Sequence, residues 1–195
     1  MWKDRSEITG ASYDKSTIIE EAAKFNILPS ILAILKKRNV GNIEDYLYPS
    51  YETFTSCDLY MAREGADLIR NEIMSNNLIT IIGDYDVDGA TSSTIMKKVI
   101  EDCGGRAEIL IPDRFIDGYG ISERLINMAY ESNSRFIITV DNGISAVEQI
   151  KYAKSLGFRI VLTDHHDIKY SVKDEKTVYT IPDADVVINP KYPGH

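Results

Sequence analysis

The chain has 195 residues, 44% hydrophobic and 27% charged, and a formal net charge of −8, the composition of a globular protein with one substantial core. Its polar start, short apolar runs and two cysteines exclude a signal peptide, a membrane span and a disulfide framework, so we expect a cytoplasmic protein with no membrane partner. The excess of acid disfavours a broad nucleic-acid-binding face unless the carboxylates surround bound cations, whose charge reverses the local field.

Residues 1–76 are predicted to form an N-terminal helical segment that packs on the core of the protein. Apolar residues recur at helical spacing from Thr17 onward, and Pro29 suits the first turn of a helix. A further amphipathic helix is predicted from about Leu59 to Ser75. No cluster of chemically active residues lies in this segment, so we expect it to be a structural cap.

Residues 77–195 are predicted to form an α/β domain. Short apolar runs alternate with helical patterns, which is typical of a parallel sheet with helices on both faces. The polar stretch from Ile168 to Thr180 is predicted to be a surface excursion before the last strand. The predicted strands are Leu78–Ile82, Ala107–Ile111, Phe136–Val140, Arg159–Leu162 and Val186–Ile188, and the predicted helices are Thr91–Cys103, Ser122–Glu131 and Ser145–Ser155.

Three of the predicted strand segments lead into an aspartate: Leu78–Gly83 into Asp84, Phe136–Val140 into Asp141, and Arg159–Thr163 into Asp164. In open α/β sheets, ligands bind beyond the carboxyl ends of the strands, where the strand order switches. These acids are therefore expected to converge on one edge of the sheet. A single aspartate in such a position is often only the cap of the next helix, but three in one sheet favour a binding site.

The first of these segments carries three acids, Asp84, Asp86 and Asp88, followed by Gly89. Strand geometry would turn alternate carboxylates to one side, with Gly89 providing a tight turn into the helix near Thr91. Apposed carboxylates repel one another unless a cation neutralises them. The spacing does not fit an EF-hand calcium loop, because the twelfth position is occupied by an isoleucine.

The segment after the fourth predicted strand adds nitrogen donors, since Asp164 is followed by His165 and His166. Histidine is a common metal ligand, and neighbouring carboxylates can orient its ring. An oxygen-rich donor set with one imidazole suits Mn²⁺ or Mg²⁺ better than a structural zinc ion.

The segment after the second predicted strand contains Arg114 and, five residues later, Tyr119 between two glycines. Arg114 could grip a phosphate at the same edge of the sheet. The Gly-Tyr-Gly element alone predicts only a turn into the helix at Ser122, although Tyr119 could stack on a nucleobase.

Together these residues resemble the motifs of the DHH phosphoesterase family, and the likeness covers most of the chain. The Asp-Gly-Tyr-Gly element, the helical N-terminal segment and Val186–Pro190 are similar to the RecJ branch of that family. The motif segments are Asp84–Ala90, Asp113-Arg114 with Asp117–Gly120, Asp141–Gly143 and Asp164–His166, and their order and spacing agree with the family pattern.

The resemblance implies a phosphodiesterase that uses two Mn²⁺ ions, or Mg²⁺ in their place, and needs no covalent nucleophile. By position, Asp141 resembles the bridging carboxylate, and His165 resembles a metal ligand that Asp164 supports or joins. His166 and Arg114 resemble groups that bind the scissile phosphate. The implied metal ligands are Asp84, Asp86, Asp88, Asp141, Asp164 and His165. The implied catalytic residues are Asp86, Asp88, Asp141, His165 and His166, and the implied substrate-binding residues are Arg114, His166, Tyr119 and Gly89.

The RecJ-like features imply a 5′-to-3′ exonuclease that acts on single-stranded DNA in repair and recombination. They also imply single-stranded DNA, and a single-strand-binding protein, as partners. Residues 77–195 would then be a DHH domain that stops before a last metal-binding aspartate and a C-terminal domain, so this chain alone could be inactive.

Other functions stay open at this point. The same motifs fit a DHH phosphodiesterase of short oligonucleotides or signalling dinucleotides, or a non-catalytic scaffold relative. A phospho-acceptor receiver domain also uses acids at strand ends, but the histidine pair and the helical leader do not fit it.

Overall fold

A computed structural model describes residues 14–50, 59–173 and 176–194 of the chain. It divides the chain into two compact units, Met1–Cys57 and Asp58–His195. The helices are α1 (Lys15–Lys24), α2 (Pro29–Lys37), α3 (Ile43–Leu47), α4 (Ala62–Met74), α5 (Val87–Asp102), α6 (Glu123–Glu131) and α7 (Val147–Ser155). The strands are β1 (Leu78–Gly83), β2 (Arg106–Leu110), β3 (Phe136–Val140), β4 (Arg159–Thr163), β5 (Tyr170–Lys173), β6 (Lys176–Tyr179) and β7 (Val186–Ile188).

The first unit is a small helical assembly. Helices α1 and α2 pack through Ile18, Ala22 and Leu32, which are buried. Pro29 occupies the first turn of α2, as expected, because that position needs no backbone donor. The Tyr48 hydroxyl donates to the Phe25 carbonyl oxygen at 2.6 Å, which ties the end of the segment to α1.

The second unit is built on a five-stranded sheet of order β2-β1-β3-β4-β7, in which every neighbouring pair is parallel. The predicted parallel α/β architecture is therefore correct. The excursion at 168–180 contains the antiparallel hairpin β5–β6, which the sequence analysis did not predict. Among the described residues, no helix combines the length and apolar character needed to cross a membrane.

Helices cover both faces of the sheet, as the near-continuous apolar strands predicted. Alternation along β1 sends Ile79 and Ile81 to the face covered by α4 and α5, and Ile82 to the face covered by α6 and α7. All three side chains are fully buried. Two apolar layers therefore fix the positions of the strand ends.

The boundary between the units differs from the expected one at residue 76. Helix α4 belongs to the sheet-containing unit because its apolar stripe packs on the sheet. Gly65 brings the helix so close that a Cβ atom there would lie 2.8 Å from Ile188 Cδ1 in β7. Glu72 of α4 is also buried and forms an ion pair with Arg159 of β4. Amphipathicity predicted this helix but not the surface it covers.

Candidate metal centre

The acids that follow β1 and β3 meet at the carboxyl edge of the sheet. In the strand order, the chain passes from β1 to β2 on one side and from β3 to β4 on the other, so the direction of the connections switches between the neighbouring strands β1 and β3. Such a switch opens a crevice between the two strand ends. Asp84 follows β1 and Asp141 follows β3, and both point into this crevice together with Asp86.

Five side chains form two overlapping groups that could hold metal ions. Asp84, Asp86 and Asp141 each offer an oxygen within 4.8 Å of the others, and Asp141, His165 and His166 do the same with one oxygen and two ring nitrogens. Asp141 is common to both groups. Its Oδ1 lies 2.9 Å from His165 Nε2. The arrangement is that of a carboxylate placed between two adjacent cation positions.

Two oxygens of this cluster, Asp84 Oδ1 and Asp141 Oδ2, are buried and have no hydrogen-bond partner among the residues that the structure describes. Asp84 is 1% exposed, and the side chain of Asp141 is 7% exposed. A buried carboxylate oxygen without a donor costs free energy unless something positive compensates it. These two atoms therefore fit a cation, which is the compensation that buried charges commonly receive when no side-chain partner is present.

The pKa shifts in the cluster also indicate that a positive charge would stabilise it. Burial raises the pKa of Asp84 and of Asp141 above the ordinary value, and the charge of Asp86 raises both further. The hydrogen bond to Asp164 raises the pKa of His166. Burial and the surrounding carboxylates also raise the pKa of the Tyr119 hydroxyl. A divalent cation would reverse the effect of these carboxylates on one another.

The local structure of the first motif differs from the prediction. Strand β1 ends at Gly83 and helix α5 begins at Val87, so the acids do not alternate along a strand. Asp86 is the N-cap of α5, and its Oδ1 accepts a hydrogen bond from Gly89 N at 3.0 Å. Asp88 lies in the first helical turn and is exposed, outside both groups of potential ligands.

Gly89 serves for close approach rather than for a turn. It lies inside α5, and a Cβ atom there would be 2.4 Å from the backbone N and O atoms of Asp84. Only glycine lets the helix begin directly against the end of β1. The close approach places Asp86 beside Asp84.

The two histidines follow β4 and are both exposed. Asp164, between them and the strand, is buried and orients His166 rather than His165: its Oδ1 lies 2.7 Å from His166 Nδ1. The same oxygen accepts from the backbone N of His165 and His166, while Oδ2 accepts from Ile144 N at 2.9 Å. Both oxygens of Asp164 are thus engaged, which favours an orienting role over direct coordination.

The backbone after β3 is held in an uncommon conformation. Asp141 has φ +61°, which is rare for residues with a side chain, and Gly143 follows at φ +110°. The buried side chain of Asn142 clamps this turn by donating to the carbonyl oxygens of Ile82 and Val140, both at 2.9 Å, and accepting from Ile121 N at 3.1 Å. Asn142 was not among the predicted site residues, although its place between Asp141 and Gly143 at a strand end was a usable signal.

We expect Asn142→Ala to lower the free energy of unfolding by about 3 kcal/mol, because two carbonyls and one N–H lose their buried partner. The variant should also bind divalent cations more weakly, since the Asp141 turn loses its clamp. Urea unfolding and a Mn²⁺ titration measure the two effects.

Ser134→Ala is the matched control for Asn142, because the Ser134 hydroxyl bonds the same two strands at the opposite edge of the sheet, at Leu78 O and Phe136 O. We expect this variant to lose stability but to keep its cation affinity. An equal loss of cation affinity in both variants would show that Asn142 acts on global stability alone.

Arg114 and Tyr119 lie in the loop that leads from β2 to α6 and faces the same edge. The Tyr119 hydroxyl donates to the Asp141 carbonyl oxygen at 3.2 Å and lies 3.2 Å from His166 Nε2. The Arg114 guanidinium lies 5.8 Å from the centre of the Tyr85 ring. The structure thus brings Tyr119 into direct contact with the cluster, and it places Arg114 over Tyr85, the residue between Asp84 and Asp86 in the chain.

Asp117 anchors this loop, and its role was not predicted. Its side chain is 1% exposed and accepts from Asp113 N at 2.8 Å, Ser122 Oγ at 2.6 Å and Arg124 Nε at 2.9 Å. These bonds, above all the one from Arg124, hold the pKa of Asp117 well below its usual range. Asp117 therefore stabilises the conformation of the loop that carries Tyr119.

Because the pKa of Asp117 is lowered on folding, its contribution to stability is complete above the unfolded pKa, near 3.9, and is lost as the pH falls towards the folded value. We expect Asp117→Asn to cost about 2 kcal/mol at pH 6 and progressively less below pH 4. Urea unfolding of both proteins over this pH range measures the difference. A difference that does not depend on pH would contradict the assignment.

The cluster opens to solvent on two sides. One cleft of about 730 Å³ lies in front of Asp88, Asp141 and His165. Another of about 270 Å³ lies on the other side of His166, next to Tyr119. Asp88 therefore faces the cleft although it lies outside the two groups of ligands. An extended ligand could pass through both clefts with its middle over the acids.

Comparison with known proteins gives a family match over the sheet-containing unit. The family model described as "DHH family, N-terminal domain" matches residues 78–195. The single-stranded-DNA-specific exonuclease RecJ of Bacillus subtilis (strain 168) is 33% identical over 199 aligned positions, which cover 98% of this chain and 24% of that protein. The RecJ of Escherichia coli (strain K12) is 34% identical over 128 positions, which cover 65% and 21%.

Solved structures show the same likeness. A crystal structure of exonuclease RecJ bound to manganese matches with a TM-score of 0.59 and 28% identity, over 70% of this chain and 33% of that one. RecJ from Thermus thermophilus in complex with Mn²⁺ matches with a TM-score of 0.63 over 90% of this chain and 23% of that one, and at 23% identity it supports the fold. The chain spans about a quarter of the length of the curated relatives it matches.

Proposed function

The chain belongs to the DHH family, and from this premise we propose that it is the catalytic core of a metal-dependent phosphodiesterase that degrades single-stranded DNA. The observation that carries the proposal is the pair of buried, unpartnered oxygens, Asp84 Oδ1 and Asp141 Oδ2, at the switch point of the sheet. The two relatives named above are single-stranded-DNA-specific exonucleases, and the two RecJ structures compared with this chain contain manganese.

The donor set fits Mn²⁺ or Mg²⁺. Carboxylate oxygens with one or two imidazoles suit these ions, and there is no thiolate in either group of ligands. Asp84 and Asp86 would hold one ion, His165 the other, and Asp141 both. When bound, two such ions activate water and stabilise the charge that develops on a phosphodiester. Asp88 and Asp164 would act from further away, Asp88 at the cleft and Asp164 through His166.

The chain's own residues would bind and orient the substrate. Asp164 fixes the His166 ring through Nδ1, so Nε2 faces the cleft beside the Tyr119 hydroxyl. His166 and Arg114 then offer donors to the scissile phosphate from two sides. The N-terminus of α5, next to Gly89, adds a positive dipole end at the same edge.

We extend the proposal to 5′-to-3′ polarity, to a role in DNA repair and recombination, and to a single-strand-binding protein as a partner. These finer points rest on the likeness to RecJ. The net charge of −8 does not oppose them, because acids of the cluster would be neutralised by cations where the strand binds.

The test compares two substrates with the full-length gene product in Mn²⁺. A 5′-labelled single-stranded oligonucleotide should be degraded from its 5′ end much faster than a dinucleotide is hydrolysed. Preference for the dinucleotide would keep the phosphodiesterase chemistry and overturn the nuclease assignment. Cleavage of neither substrate, together with tight binding of a protein partner, would identify a scaffold instead.

A further inference from the structure

The loop that bears Arg114 and Tyr119 also displays an unusually exposed aromatic side chain. Phe115 is 96% exposed, and Ile116 next to it is 72% exposed. Exposed apolar residues are common singly, whereas adjacent exposed apolar side chains can mark an interaction surface. Phe115 and Ile116 both belong to the loop whose Tyr119 lines the smaller cleft and contacts His166.

The loop is held rigidly beneath these side chains. Asp113 Oδ1 accepts hydrogen bonds from Phe115 N at 2.8 Å and from Ile116 N at 3.2 Å. Asp117 accepts from Asp113 N and is itself fixed by Ser122 and Arg124. The exposure of Phe115 is therefore a property of a hydrogen-bonded loop. A loop whose backbone is already fixed loses little backbone conformational entropy when a ligand packs against its side chains.

A series of rings connects this loop with the metal centre. The Tyr119 ring lies 5.7 Å from the His166 ring and 6.4 Å from the Tyr85 ring, edge to face in both cases. Arg114, the neighbour of Phe115, lies over Tyr85 at 5.8 Å. The series thus runs from a candidate phosphate-binding histidine to Arg114, and Phe115 is the next residue of the chain after Arg114.

We propose that Phe115 is a base-stacking subsite, which receives a nucleobase of the single strand whose phosphate lies at the metal centre. This inference rests on the proposed function and adds how the strand is recognised. Aromatic rings beside a cation bind single strands without regard to sequence, because every base has a face that can stack. Duplex bases are already stacked on one another, so the subsite also favours single strands over duplexes.

The experiment measures binding of two labelled probes to the full-length protein, with Ca²⁺ in place of Mn²⁺ to keep the strand uncut. One probe is a thymidine oligonucleotide, and the other has the same length and backbone but carries abasic sites. We expect Phe115→Ala to lower the preference for the base-containing probe roughly tenfold, and Phe115→Trp to keep it. Met74→Ala is the control, since Met74 is 78% exposed and lies where α4 leads into the start of β1, at the opposite edge of the sheet.

An unchanged preference in Phe115→Ala would overturn the subsite. A lower melting temperature with an unchanged preference would also overturn it, and would show that Phe115 contributes to stability rather than to base binding. Hydrolysis of bis(p-nitrophenyl) phosphate by the wild type separates the two proposals. If the wild type hydrolyses this ester but binds both probes equally, the subsite fails and the phosphodiesterase stands. If it neither hydrolyses the ester nor binds a strand, both fail.

Discussion

If the proposed function is correct, Asp141→Asn is expected to remove Mn²⁺-dependent cleavage of single-stranded DNA while leaving the fold intact. Asp141 is the carboxylate common to both groups of potential ligands, so neither group stays complete without its charge. Metal ions supply several kcal/mol of transition-state stabilisation, and each 1.36 kcal/mol is a factor of ten, so we expect a loss on the order of a thousandfold. The measurement is the initial rate of nucleotide release.

The stability of the same variant distinguishes a lost ligand from a lost fold. Burial raises the pKa of Asp141, so folding favours the protonated form of this carboxyl group. In the metal-free protein, the free energy of unfolding therefore falls as the pH rises through that pKa and Asp141 ionises. Without divalent cations, Asp141→Asn should therefore melt at the same temperature as the wild type or higher. With Mn²⁺, the wild type should gain stability and the variant should gain less.

Asp167→Asn is the control for Asp141. Asp167 follows the same histidine pair, but its side chain is 92% exposed and pairs with Lys191 at the surface. We expect its activity and its response to Mn²⁺ to match those of the wild type. If both aspartate variants lose activity equally, the metal centre is misassigned.

We expect Gly89→Ala to lower the free energy of unfolding, whereas the same substitution in a helix usually raises it. Replacing glycine by alanine in a helix interior normally stabilises by up to about 1 kcal/mol. Here the added Cβ atom would lie 2.4 Å from backbone atoms of Asp84, which cannot rotate away. Helix α5 must move from the end of β1, so we expect a net loss of about 3 kcal/mol, at the upper end for overpacking.

The same substitution should also abolish metal binding, because Asp86 and Asp84 are positioned by this contact. Urea unfolding and Mn²⁺ titration measure the two effects. Gly41→Ala is the control, because a Cβ atom at Gly41 meets no atom of the described part of the chain within 4 Å. Normal stability of Gly89→Ala would mean that α5 does not begin against β1 as described.

Sequence alone predicted the sheet and the edge at which the site lies. Strands β1, β3 and β4 are short apolar runs that each end near an aspartate. Because both faces of the sheet are buried, most residues of these strands are apolar, and the runs therefore coincide with the strands. The convergence of Asp84 and Asp141 then follows from parallel strands and short connections. Because burial and strand order constrain every residue of these segments, a single position that departs from the apolar pattern does not change the predicted sheet.

Details within the motifs could not be predicted as well. Alternate acids suggested a strand through Asp88, but Asp86 caps a helix that begins one residue later. The N-cap preference of aspartate was the competing signal. Asn142 and Asp117 were missed because their importance lies in buried hydrogen bonds to distant backbone atoms, and a single sequence carries no record of such partners.

The most direct test of the metal centre is anomalous diffraction at the manganese edge from crystals of the protein grown with Mn²⁺. We predict anomalous peaks within coordination distance of Asp84, Asp86, Asp141 and His165, with Asp141 contacting more than one ion if two are bound. Peaks elsewhere on the surface, with this cluster free of manganese, would contradict the proposal that the switch-point acids form the catalytic metal centre.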